Sequence, residues 1–148
     1  MSKILLVLNH PNFKESFTNQ IIVKKIKTLI PDIEFDHIDA FIISRWKNWC
    51  QSWTREMIRF FPISYIGINV HIFWVKWFED FYEHGFAYGS KGDKLKYKRV
   101  IVSMTLNCRK DEFLGKYTID KVISPWIATC DYTKQKFIGY ENTYDIPF

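Results

Sequence analysis

Apolar and polar positions follow two rhythms along this chain, and the switches between them mark the elements. Residues 3–8 hold a continuous apolar run, Ile4-Leu5-Leu6-Val7-Leu8, the pattern of a strand buried on both faces. Residues 16–30 place Ile21, Ile22, Ile26, Leu29 and Ile30 at helical spacing and stop before Pro31. Residues 33–38 alternate as a second strand, 46–55 read as a short helix, and 57–61 as a third strand that enters Pro62 and carries Arg59. Residues 69–83 predict a helix with Asn69 as N-cap and Val70, Phe73, Trp74, Trp77, Phe78 and Phe81 towards the core. Residues 99–105 are the next strand, 118–130 a helix interrupted by Pro125, and 135–139 the last strand.

Strands interleaved with helices predict an α/β fold: one domain over residues 1–148, with a doubly wound five-stranded parallel sheet and helices on both faces. The sequence ends just after the last predicted strand, so a final covering helix is expected to be missing, and a dimer interface or other aromatics must cover that apolar surface. Ligands of such sheets lie beyond the carboxyl ends of the strands, where the winding reverses. That rule gathers residues 9–19, 62–66 and 105–109 around one crevice.

Composition narrows the picture a little further. A hydrophobic fraction of 47% with 25% charged residues describes a globular chain rather than a disordered one. The net charge of +5 suits an anionic ligand, but Lys and Arg are scattered in ones and twos without a nucleic-acid motif, so no nucleic-acid partner is expected. Three cysteines without CxxC spacing argue against a disulfide framework, and the four histidines lack metal-ligand spacing. The apolar start is too short for a signal peptide, and no stretch is long and uncharged enough to insert in a bilayer, so a cytoplasmic location is expected.

The loop after the first strand carries the clearest chemistry. A strand delivering His10, followed by Ser16-Phe17-Thr18 opening a helix, offers backbone N–H groups, a favourable dipole and two hydroxyls to an anion. On physical grounds alone, Ser16 or Thr18 serving only as a helix cap, with His10-Pro11 shaping a turn, accounts for the same residues. Further along, Phe61-Pro62-Ile63-Ser64-Tyr65 ends an apolar run, and Trp77-Phe78-Glu79 leads into Gly85-Phe86-Ala87-Tyr88-Gly89.

In this order, these segments resemble the flavodoxin-like NAD(P)H:quinone oxidoreductases, most firmly over residues 3–19 and 77–104. The resemblance implies a flavin, FMN or FAD, with NAD(P)H as co-substrate and a quinone or similar small molecule as acceptor. It implies that His10, Ser16, Phe17 and Thr18 hold the flavin phosphate. Pro62, Ile63 and Tyr65 flank the ring, with Thr105 and Asn107 beside it. Phe86 and Tyr88 form a lid over the flavin of the partner subunit in a homodimer. No side chain is implied to act as nucleophile or general acid.

The sequence departs from that pattern in places. Thr18 stands where Asn is common, Ser64 where an aromatic is common, and Thr105-Leu106-Asn107-Cys108 replaces Thr-Thr-Gly-Gly. Loss of the glycines predicts a strained or filled loop, with Asn107 the residue best suited to positive φ. Tyr117 is the candidate for the downstream Tyr of the family, and no His follows His84. A second reading draws on these departures: a degenerate relative without flavin, serving as a regulatory or interaction subunit, as some relatives do beside potassium-efflux transporters.

Overall fold

The computed structural model describes residues 3–10, 13–38, 57–66, 69–70, 78–79, 81–113 and 118–145. Six strands form one sheet: β1 (Lys3–Asn9), β2 (Glu34–Ile38), β3 (Met57–Ile66), β4 (Asn69–Val70), β5 (Arg99–Leu106) and β6 (Lys136–Thr143). Their order is β2-β1-β3-β5-β6, every neighbour parallel, with β4 antiparallel to β3. Counting only the parallel strands, this is the 2-1-3-4-5 order of a doubly wound sheet, whose winding reverses between β1 and β3.

Alternate residues of β1 show that both faces are covered. Leu5 and Val7 join a core with Val100, Val102, Met104 and Leu106 of β5 and with Ile119, Ile123, Trp126 and Cys130 of helix α2 (Ile119–Tyr132). Leu6 and Leu8 turn the other way, onto Val23 of helix α1 (Phe17–Leu29) and Ile33. The i, i+4, i+7, i+11 spacing of the α2 residues gives one apolar stripe aimed at the sheet.

Four expectations are corrected. The sheet is not purely five-stranded and parallel, because β3 continues through Pro62 to Ile66, and Tyr65 and Ile66 then pair with Val70 and Asn69. Pro62 has no N–H for the ladder, but the strand survives because Phe60 and Ile63 on either side each pair with both β1 and β5. Asn69 is therefore a strand residue and not a helix cap. Of the helix expected over 69–83, Phe78, Glu79 and Phe81 are helical, while 71–77 lies outside the described residues, as does the helix expected over 46–55.

Pro125 does not interrupt α2, which runs straight through it. A proline at this position withholds the N–H that would meet the carbonyl of Lys121. The Ser124 hydroxyl donates to that same oxygen at 2.9 Å and replaces the missing bond.

The buried stripe of α1 is also phased differently from the one read in the sequence. Asn19 and Val23 are its buried residues, with Ile26 partly buried beside them, whereas Leu29 is 72% exposed and Ile21 and Ile30 are exposed too.

Beyond β5, the last strand carries a bulge. Val100 pairs with Phe137 but Ile101 with Gly139, so Ile138 is the extra residue. Gly139 takes φ +152, and the insertion returns Tyr140 to the same face as Phe137, over α2.

Candidate functional site

β1, β3 and β5 are neighbours in the sheet, so their carboxyl ends lie side by side. β1 delivers Asn9 and His10 there, a short 3-10 turn (Phe13–Glu15) follows, and α1 begins. Ser16 occupies the N-cap position but makes no side-chain cap bond to the helix. The backbone amides at the start of α1 are those that a helix leaves without internal acceptors. Gln20 braces the turn, its side-chain amide donating to the carbonyls of Lys14 (2.6 Å) and Phe13 (3.2 Å).

His10, Ser16 and Thr18 are all half-buried at this corner. The Phe17 side chain is 76% exposed, which leaves its backbone N–H as the group it would offer an anion. Pro62, Ile63 and Tyr65 lie within β3 rather than in a loop after it, with Ile63 paired to Asn9. Thr105 is buried at the end of β5, pairs with Ser64 and Thr143, and is followed by exposed Asn107. The topology thus brings the ends of β1, β3 and β5 and the start of α1 to one side of the sheet. Pro11 and Tyr117 lie outside the described residues.

The loop that replaces the two glycines is not strained. The non-glycine residues at positive φ among those described are Tyr97, Lys134 and Asp145, so Asn107 and Cys108 need no left-handed conformation. Cys108 packs against the α2-side core, and its carbonyl accepts the Asp145 N–H at 3.1 Å. Burial, reinforced by Glu112 and Asp145, raises the Cys108 pKa, which keeps the thiol protonated and poorly nucleophilic near neutrality.

Phe86 and Tyr88 sit elsewhere. Gly85 (φ +84) and Gly89 (φ +89) bound a turn that only glycine enters without strain. The turn is closed by Gly85 N–H donating to the Tyr88 carbonyl at 2.8 Å. Phe86 lies edge-on to Phe81 at 5.7 Å, and Tyr88 meets Tyr132 at 5.2 Å. Tyr132 is the last residue of α2, just before β6 starts, so this loop flanks the end of the sheet where the strands begin. The cradle is at the other end, on the order of 25 Å away for an eight-residue strand such as β5. Trp77 lies outside the described residues; Phe78 packs edge-on against Trp126 at 4.6 Å.

Sequence reasoning passed over two residues here. Asn9 is completely buried, and neither its Oδ1 nor its Nδ2 has a hydrogen-bond partner among the described residues. Asn19, 2% exposed, donates from Nδ2 to Ser16 Oγ at 2.8 Å. The available signal was a polar residue in an apolar rhythm: Asn9 closes the apolar run of β1, and Asn19 precedes Val23 and Ile26 at helical spacing.

Comparison with known proteins agrees with this fold. No family model matches the chain. It is 27% identical over 151 residues to an uncharacterised NAD(P)H oxidoreductase, YrkL, of Bacillus subtilis, covering 96% of this chain and 85% of that one. The likeness extends to solved structures, which share the fold. The fold matches an NADPH-quinone reductase from P. pentosaceus with a TM-score of 0.83 at 15% identity, over 97% of this chain and 85% of that one. It also matches general stress protein 14 of Treponema denticola, solved in complex with FMN, with a TM-score of 0.81 at 18% identity, over 96% and 86% of the two chains.

The donor set suits a flavin phosphate. A half-buried histidine ends β1, and α1 then starts with a serine hydroxyl not used for capping and with no acidic side chain in its first turn. Among the described residues no group of three His, Cys, Asp or Glu side chains converges as a metal site would require, and no helix is long and apolar enough to cross a membrane.

Proposed function

We propose that this protein is a flavin-dependent NAD(P)H oxidoreductase that delivers two electrons to a quinone or a similar small acceptor, acting in the cytoplasm. The observation that carries the reading is the start of α1: Ser16 stands at the N-cap with its hydroxyl unused for capping, one short turn after half-buried His10 ends β1. His10, Ser16 and the amides of Phe17 and Thr18 would hold the phosphate. Pro62, Ile63 and Tyr65, with Thr105 and Asn107, would line the ring from the ends of β3 and β5. When bound, the flavin supplies the hydride-accepting and hydride-donating chemistry, and the protein supplies binding, orientation and exclusion of water.

The protein works as a homodimer in this reading, with Phe86 and Tyr88 of one copy closing the crevice of the other. What supports this is the position of the Gly85–Gly89 turn: it lies at the opposite end of the sheet from the cradle of its own chain. FMN is the first flavin to test, given the likeness to a protein solved with FMN, and FAD the second.

The test is a titration of the purified protein with FMN and then FAD, followed by flavin fluorescence. Saturable quenching is expected, together with flavin-dependent oxidation of NADH or NADPH by a simple quinone. His10→Ala should weaken FMN binding by about tenfold, as for loss of a hydrogen bond to a charged group. Absence of binding by either flavin overturns the reading.

A further inference from the structure

The Asn19–Ser16 hydrogen bond fixes more than local structure. The Ser16 hydroxyl has one proton to donate and two lone pairs with which to accept. Asn19 Nδ2 donates to Ser16 Oγ at 2.8 Å, from a side chain that is 2% exposed and held on the inner face of α1 next to Val23. An amide N–H occupying one lone pair leaves the Ser16 proton to point away from Asn19. Because the hydroxyl makes no cap bond to the helix, that proton is available to the space in front of the α1 amides. A hydroxyl that already accepts a bond is also polarised into a better donor.

We infer that Asn19 is a positioning residue for the anion cradle: by donating to Ser16 Oγ, it presents the Ser16 O–H to the phosphate of a bound flavin. The inference rests on the flavin reading of the site, and it assigns to a buried helix residue a task that exposure or charge would not suggest. Asn19 touches no phosphate itself; it acts through Ser16.

Dissociation constants for FMN and for riboflavin, which lacks the phosphate, separate this task from a merely structural one. Ser16→Ala should weaken FMN by about tenfold or more, the worth of one hydrogen bond to a charged group, Asn19→Ala should weaken it by roughly three- to tenfold, and both should leave riboflavin unchanged. On a Ser16→Ala background, Asn19→Ala should cause no further loss, because its effect passes through the missing hydroxyl. Asn19→Asp, of the same size, serves if the alanine variant does not fold. At pH 8 its carboxylate accepts the Ser16 proton, and FMN should be lost by more than tenfold while riboflavin still binds.

Additive losses in the double variant overturn the inference, as does a parallel loss of riboflavin affinity. So does unaltered FMN affinity in Asn19→Asp. FMN binding by the unaltered protein with any of these results leaves the flavin reading standing, whereas no FMN binding at all removes both.

Discussion

Tyr88 rests its ring against Tyr132, 5.2 Å between centroids, at the end of the sheet where β6 begins. Ser16 stands beyond the end where β1 finishes, so no rearrangement of side chains lets one chain's Tyr88 reach its own cradle. If the aromatic turn closes a flavin site, it closes that of a second copy. Mixing Ser16→Ala with Tyr88→Ala protein after co-refolding, assayed at FMN too dilute to load the Ser16→Ala cradle, should then give more activity than either variant shows alone. Random pairing makes half of the dimers mixed, each with one site built from an intact cradle and an intact turn, so recovery should reach about a quarter of the unaltered level. Recovery of nothing would place cradle and turn in the same chain's site, or make the turn irrelevant.

Asn9 is buried without a hydrogen-bond partner for either amide atom among the described residues. Such a group loses its water and regains nothing, at a cost of about 1–3 kcal/mol. Asn9→Val, apolar, only slightly larger and β-branched to suit a strand, should raise stability by about 1–2 kcal/mol in urea unfolding of the apo protein. A loss of stability instead would show that the amide is already satisfied.

In α2, Ser124 compensates for Pro125 by donating to the Lys121 carbonyl at 2.9 Å. Pro125→Ala restores the backbone donor at an exposed position and should stabilise the fold by about 1–2 kcal/mol, below the full penalty of an interior proline. Ser124→Ala should cost about 0.5–1 kcal/mol with Pro125 present and close to nothing once Ala is at 125. Thermal unfolding of the four proteins gives this coupling directly.

The Tyr140 hydroxyl donates to Asp120 Oδ1 at 2.9 Å and ties β6 to the start of α2. That bond, with partial burial and the Asp120 charge, raises the Tyr140 pKa above 10.0. A raised folded value favours the protonated phenol in the native state, so the contribution is fully present below about pH 10 and is lost as pH climbs through the folded value. Because Tyr140 is well exposed, the expected worth is only about 0.5 kcal/mol. Tyr140→Phe should lose that amount at pH 8, and its deficit relative to the unaltered protein should shrink as pH rises through the Tyr140 titration in guanidinium unfolding.

Much of the fold was legible because the strands carry their rhythm openly. The run Ile4-Leu5-Leu6-Val7-Leu8 can be buried on two faces only in a central parallel strand, and its alternate residues do enter separate cores. Element boundaries were less legible where a proline stands. Pro62 and Pro125 each look like an end, but pairing on both flanks carries β3 past the first, and a single serine hydroxyl carries α2 past the second. The phase of α1 was misread because Asn19, polar by type, takes a buried place, while Ile21 and Leu29 face outwards.

By itself, the sequence determined the alternation of strands and helices, the strand-to-helix loop with His10 and Ser16, and the Gly85–Gly89 turn, because each rests on local rules: periodicity, the free amides at a helix start, and positive φ at glycine. Only the tertiary structure decided that β1, β3 and β5 end side by side, that Asn107 and Cys108 fill the glycine positions without strain, and that the aromatic turn lies at the far end of the sheet. Those outcomes depend on strand order and on contacts between residues distant in the chain, and no local pattern encodes either.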